Sequence, residues 1–203
     1  MLTFLTIPEL KQGSQEWLDW QRTVIDASDA PAIMGESPGK SKERLALEKL
    51  GEKKLPFRRS GANTLKQRLK PLARASLSQR IGKKFFPMVA QSRSTPWLTA
   101  SLDGIDVPLA TVTEIKCDKQ SYEYTARTGK VPPYYYGQLQ HILLVTGFQS
   151  IIYYSFRPRM PEQLLYVPRD DFYINKLSKE ISNFLNELRF HGYKPRETLY
   201  YNI

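Results

Sequence analysis

The chain has 203 residues, 41% of them hydrophobic and 25% charged, and carries 30 Lys and Arg against 20 Asp and Glu, a formal charge of +10. That length suits a single domain, residues 1–203, with a substantial core, and the balance is ordinary for a soluble globular protein. No apolar run reaches the ~18 residues a bilayer span needs, and the basic surplus points to a polyanionic partner, most simply nucleic acid.

The first eight residues are short and lack a basic n-region, so they do not read as a signal peptide. The single cysteine, Cys117, rules out an intrachain disulfide, which fits a reducing cytosol. It ends an apolar stretch and reads as core packing. His141 and His191 lie far apart, with no zinc-ligand spacing. Residues 14–22 read as a short helix with Trp17, Leu18 and Trp20. Ser28 reads as the N-cap of a second short helix that reaches Met34, with Pro31 in its first turn and Gly35 as its stop. Residues 41–50 form a helix closed by Gly51, and 52–61 a basic loop. Residues 62–81 predict a longer helix with Leu65, Leu69, Leu72, Ala73, Leu77 and Ile81 on one side, which Pro71 kinks or divides.

Strands follow at 85–90, 97–101 and 111–117. Residues 129–136 read as a Pro/Tyr-rich loop, and 137–145 as a helix. Strands at 151–156 and 164–167 form a hairpin, and 170–191 is a closing amphipathic helix. The order of helices, strands, helix, strands, helix predicts an α/β or α+β core, a central mixed sheet flanked by helices. Basic residues cluster at 40–54, 58–80, 83–84 and 157–159.

The chemistry-bearing run is Thr113-Glu114-Ile115-Lys116-Cys117, with Ser101-Leu102-Asp103-Gly104 upstream. Strand side chains alternate, so Glu114 and Lys116 share a face, as do Ser101 and Asp103. A turn at Asp106-Val107-Pro108-Leu109 would pair the two segments and bring two carboxylates and a lysine to one spot. Carboxylate oxygens suit a hard divalent cation such as Mg²⁺. A lysine beside them can position a water or stabilise charge on an attacked phosphate. This is the logic of a metal-dependent nuclease of the D…ExK kind.

Six motifs extend the pattern: Gln12-Gly13-Ser14-Gln15-Glu16-Trp17, Ala27-Ser28-Asp29-Ala30, Leu69-Lys70-Pro71-Leu72-Ala73-Arg74, the two runs above, and Gln138-Leu139-Gln140-His141. In this order and spacing, over roughly residues 10–190, the chain resembles the lambda-exonuclease (YqaJ-type viral recombinase) family, of the PD-(D/E)xK nuclease superfamily. The resemblance implies a restriction-endonuclease-like fold and Mg²⁺-dependent 5′→3′ digestion of linear double-stranded DNA, with Mn²⁺ as a substitute metal. It further implies a ring-shaped homotrimer, a phage or prophage origin in a bacterial cytosol, and a single-strand annealing protein as partner in recombination. Asp103, Glu114 and the Ile115 carbonyl would ligand metal, Lys116 would act at the attacking water, and Gln138 would orient the site. Ser28 and Ser101 would meet a 5′-phosphate.

Three positions depart from the family pattern. Lys70 stands where the family has a metal-binding glutamate. Gln21 stands where an arginine usually holds the terminal phosphate, and its neighbour Arg22 would point about 100° away around a helix. Asp26 replaces a usual glycine and adds negative charge near the expected phosphate. These changes leave open a second reading, a catalytically impaired DNA-binding ring or clamp subunit of the same fold.

Overall fold

The computed structural model describes residues 2–7, 10, 12–52, 61–106 and 111–200, with side chains in the first helical turns after residue 60 described at Leu65 and from Arg68 onward. The chain runs β1 (Phe4–Ile7), α1 (Gln15–Arg22), β2 (Ile25–Asp26), a 3₁₀ turn (Ala27–Asp29), α2 (Ala30–Ile33), α3 (Lys42–Lys49) and α4 (Gly61–Ile81). It continues through β3 (Phe86–Ser92), β4 (Leu98–Asp106), β5 (Thr111–Lys116), α5 (Lys119–Thr128), α6 (Pro133–Thr146), β6 (Ser150–Ser155), β7 (Gln163–Pro168) and α7 (Asp171–Phe190). The strands form one mixed sheet in the order β1-β3-β4-β5-β6-β7, with β2 pairing to β4 off that path. Among the described residues, β5–β6 and β2–β4 are the parallel pairs. The expected mixed sheet flanked by helices is therefore the fold observed.

Helices cover both faces. On one face α6 and α7 supply Leu139, Ile142, Leu143, Leu177, Ile181 and Phe184 to a core with Ala100, Leu102, Val112 and Tyr153 of the sheet. On the other, Leu69, Ala73 and Leu77 of α4 pack on Phe85, Ile115, Cys117, Ile152 and Tyr154. Cys117 is thus a core residue, and burial pushes its thiol up to about 11.

One feature of β4 positions the site. On one edge β4 pairs with β3 over most of its length. On the other edge it pairs with β2 at Leu98 and Thr99, then with β5 only from Gly104 to Asp106. Residues 100–103 have no strand partner on that edge among the described residues, because β5 beyond Thr113 leaves β4 and continues along β6. A fork opens there. The β3–β4 register also slips: Phe86 to Met88 faces Ile105 to Leu102, so β4 carries one extra residue beside Asp103. Such a bulge re-aims a side chain. Gly104 is required at this point, since a Cβ would lie 2.7 Å from Thr113 Cγ2 and 3.0 Å from Phe85 Cβ.

Several sequence expectations are corrected. The cap role given to Ser28 belongs to Asp26, which caps the 3₁₀ turn, and Ser28 lies inside that turn. α4 runs unbroken through Pro71. Leu65 and Leu72 of its apolar stripe are exposed, because the line that meets the sheet is Leu69–Ala73–Leu77 with Ile81 beside it. The Pro/Tyr-rich segment is not loop throughout: Pro133 starts α6, where a missing N–H costs nothing, and the tyrosines fill its first turns. Strands β1 and β2 and helix α5 were not anticipated. The turn at 107–109 and most of the 52–61 loop lie outside the described residues.

Candidate active site

Asp103, Glu114, Lys116, Gln138 and Lys70 meet at the fork. Asp103 and Glu114 are each 2% exposed. Where β5 leaves β4, the Ile115 N–H has lost a strand partner on that side, and it donates to Asp103 Oδ2 at 3.0 Å. The carboxylate thus takes the place of a ladder carbonyl, which fixes Asp103 against β5. Glu114 and Lys116 share a face as the alternation requires: Lys116 Nζ lies 2.7 Å from Glu114 Oε1.

Gln138 joins them from α6. It is the sixth residue of that helix, where the sequence alone makes it the second, and so points from the helix body at the fork. Its Nε2 donates to Glu114 Oε1 at 3.0 Å, and its Oε1 accepts from Lys116 Nζ at 2.9 Å. The Lys116 ammonium also lies 3.8 Å from the Tyr135 ring centroid, a cation–π contact. Burial, reinforced by the nearby Asp103 charge, raises the Glu114 carboxyl above its ordinary value.

Lys70 arrives from α4. Its Nζ is 2.5 Å from Asp103 Oδ1. Burial pulls the ammonium down, but Asp103 and Glu114 more than offset that, and its pKa stands above the ordinary value. Four residues on, one turn along the same helix face, Arg74 Nε donates to the Asp103 carbonyl at 2.6 Å. Arg74 and Tyr135 were missed in the sequence. The i, i+4 spacing from Lys70, and the i, i+3 spacing from Tyr135 to Gln138, were the available signals.

The donor set for a divalent cation is partial. Among the described residues no group of three or more His, Cys, Asp and Glu gathers as ligands. Three of the four carboxylate oxygens are engaged: Asp103 Oδ1 by Lys70, Oδ2 by Ile115, and Glu114 Oε1 by Lys116 and Gln138. The fourth, Glu114 Oε2, is buried and has no hydrogen-bond partner. A buried unpaired carboxylate oxygen is costly and fits a cation. Glu114 Oε2 is thus the free donor for such an ion, and Lys70 occupies the Asp103 oxygen that an ion there would share.

The second predicted cluster lies at the other end of the fork. Ser101 of β4 donates to Asp26 Oδ2 at 3.0 Å, and Ser28 donates to Asp26 Oδ1 at 3.1 Å. Beside Ser28 is a small cavity of about 60 Å³, lined by Gln21, Arg22, Asp29, Lys40, Glu48 and Lys49 among others. Arg22, read from the sequence as about 100° around the helix from Gln21, lines this cavity together with it. Two of its cations are paired, Lys49 with Asp29 at 2.7 Å and Lys40 with Glu48 at 2.9 Å; Arg22 lies 3.8 Å from Asp19, and its buried Nε has no hydrogen-bond partner. His141, of the same motif as Gln138, is a core residue. Its Nε2–H donates to the Thr99 carbonyl at 3.0 Å, and burial lowers its pKa to about 4.

A model of the YqaJ-like viral recombinase domain matches residues 16–149. An alkaline exonuclease from Laribacter hongkongensis has the same fold, with 25% identity and a TM-score of 0.75, covering 88% of this chain and 94% of that one. The structure of that exonuclease, LHK-Exo, in complex with dAMP gives a TM-score of 0.77 at the same identity and the same coverage. A phage-related exonuclease from Haemophilus somnus shares the fold alone, at 14% identity and a TM-score of 0.60, over 81% of this chain and 93% of that one. No match was found among curated proteins.

Proposed function

Because the chain belongs to the YqaJ-like viral recombinase family, we propose that it digests linear double-stranded DNA from its 5′ ends, with Mg²⁺ or Mn²⁺, in phage-type recombination by single-strand annealing. Its class is that of the DNA exonucleases, hydrolases of the phosphodiester bond. The observation that carries the finer reading is the buried group of Asp103, Glu114, Lys116 and Gln138, in which one carboxylate oxygen is left free.

Asp103, Glu114 and the Ile115 carbonyl would hold the metal ion, which supplies Lewis-acid polarisation and a more acidic bound water. Gln138 fixes Glu114 through Oε1, so that Oε2 stays available. Lys116 has three donor hydrogens. One goes to Glu114 and one to Gln138, and the third can reach the attacking water or the charge that develops on the phosphate. Ser28, Ser101, Gln21 and Arg22 stand at the terminal nucleotide. The net charge of +10 holds the duplex by counterion release. A homotrimer, an annealing-protein partner and a bacterial cytosolic setting, with the chain acting as one domain, complete the proposal by family resemblance. Among the described residues no helix is long and apolar enough to cross a membrane.

The test is digestion of linear 5′-phosphorylated duplex with Mg²⁺, beside Glu114→Gln and Lys116→Ala. Loss of digestion in both, with duplex binding retained, is expected. An unchanged rate in either sinks the assignment.

The Lys70–Asp103 ion pair favours a second reading, a DNA-binding clamp of this fold without catalysis. It requires duplex binding that ignores EDTA, together with intact DNA at every protein concentration.

A further inference from the structure

Asp26 collects donors that would otherwise face solvent. The residue is 2% exposed, whereas Ser28 is exposed and Ser101 half-buried. Asp26 Oδ1 accepts the Ser28 N–H at 3.2 Å and the Ser28 hydroxyl at 3.1 Å, and Oδ2 accepts the Ser101 hydroxyl at 3.0 Å. A hydroxyl has one hydrogen and two lone pairs. With both hydrogens turned inward, the two serines present only acceptors outward, and a carboxylate lies behind them. Of the cations of the adjoining cavity, Lys49 and Lys40 are already paired with Asp29 and Glu48, and Arg22 lies 3.8 Å from Asp19 with its Nε buried and without a hydrogen-bond partner.

A phosphate monoester is anionic and accepts at its terminal oxygens, so it meets lone pairs and like charge on this edge. An uncharged terminal hydroxyl has a hydrogen to give. We propose that Asp26 sets the end-group specificity of the chain, and that the Ser28–Ser101 edge takes a 5′-hydroxyl terminus in preference to a 5′-phosphate. This rests on the reading above that Ser28 and Ser101 stand at the terminal nucleotide. Asp26 acts by orienting the two hydroxyls and by its charge. Removing that charge frees both hydrogens to donate outward, which restores a site for an anion.

The experiment uses the full chain in EDTA, so that no DNA is digested. Fluorescence anisotropy compares short blunt duplexes that differ only in a 5′-hydroxyl or a 5′-phosphate, with a covalently closed dumbbell duplex as the end-free control. The parent should favour the hydroxyl end by roughly threefold or more. Asp26→Asn and Asp26→Ser, both able to cap the 3₁₀ turn, should shift the ratio toward phosphate by roughly tenfold. Ser28→Ala combined with Ser101→Ala leaves Asp26 in place and should abolish the hydroxyl preference, so the idea stays testable should either Asp26 variant misfold. Tighter binding of the phosphorylated duplex by the parent overturns the proposal, as does an unchanged ratio in folded Asp26 variants. If neither linear duplex binds better than the dumbbell, ends are not read at all, and the functional reading beneath the proposal fails with it.

Discussion

Replacing Lys70 tests the metal site most directly. Its ammonium lies 2.5 Å from Asp103 Oδ1. At an effective dielectric near 20 the gross attraction is of order 7 kcal/mol. The Lys70 side chain is 36% exposed, so solvent screening and side-chain entropy leave a net worth of about 1–2 kcal/mol. A divalent cation that needs Asp103 must forgo that interaction and also tolerate a neighbouring positive charge. The penalty is therefore roughly five- to thirtyfold in metal affinity. Lys70→Met removes the competitor and should recover about tenfold. Lys70→Glu also adds a ligand and should recover more.

The assay is calorimetric titration with Mg²⁺ and then Mn²⁺, without DNA, on the parent and both variants. Stability supplies a second readout. In EDTA the Glu variant crowds three carboxylates and should melt below the parent. At a metal concentration about 100 times its Kd it should regain roughly 2.7 kcal/mol. If Lys70→Glu binds metal no more tightly than the parent, Lys70 does not compete at Asp103 when metal is present, and the argument from the ion pair is wrong. If the Glu variant alone digests DNA, Lys70 is an internal cation that holds the centre off.

Gln138→Leu removes the amide that joins Lys116 to Glu114; loss of a hydrogen bond to a charged group costs about 1.5–3 kcal/mol, so digestion should slow by about tenfold or more while duplex affinity stays level, measured by single-turnover digestion and anisotropy. Tyr135→Leu removes the ring under Lys116 together with the hydroxyl's bonds to Asp118 and Ser121, and should slow digestion by a few fold, about 1 kcal/mol; an effect as large as that of Gln138→Leu would show that Tyr135 does more than hold the ammonium. The folded chain keeps His141 neutral, with a pKa of about 4 against 6.5 for the free side chain. Its contribution is whole above pH 6.5 and is lost as pH falls toward 4, about 3 kcal/mol in all. Urea unfolding of His141→Gln between those pH values should lose correspondingly less stability than the parent, and equal slopes would contradict the assignment.

The active centre was largely legible because a strand has a period of two. That period alone puts Glu114 beside Lys116, and the structure places them 2.7 Å apart. Gln138 was legible only through family resemblance, since the start of its helix was misplaced: prolines and tyrosines read as loop until Pro133 is seen as a first-turn residue. The fork in β4 left no local signal, because it depends on β2 and β5 competing for one edge from positions far apart in the chain. For the same reason Asp103 could be named, but its bond to the Ile115 amide could not. The stripe on α4 failed at Leu65 and Leu72 since periodicity gives a face, not the width of the surface that covers it.

Lys70 and Asp26 have a common logic. Each places inside the protein a charge of the same sign as the ligand that family resemblance implies there, an ammonium on Asp103 against a divalent cation and a carboxylate on the Ser28 and Ser101 hydroxyls against a 5′-phosphate. The two act through different partners: Lys70 through Asp103, and Asp26 through Ser28 and Ser101. Their effects should therefore fall on different observables. In a double-mutant cycle, Lys70→Met should change metal affinity and leave the end-group ratio alone, Asp26→Asn should do the reverse, and the double variant should be additive within about 0.5 kcal/mol. The one route for coupling is β4, where Ser101 and Asp103 are two residues apart beside the extra residue of the bulge. A coupling energy above about 1 kcal/mol in either observable would mean that this strand shifts as a unit, and that the metal and the DNA end are sensed together rather than at two independent stations of the fork.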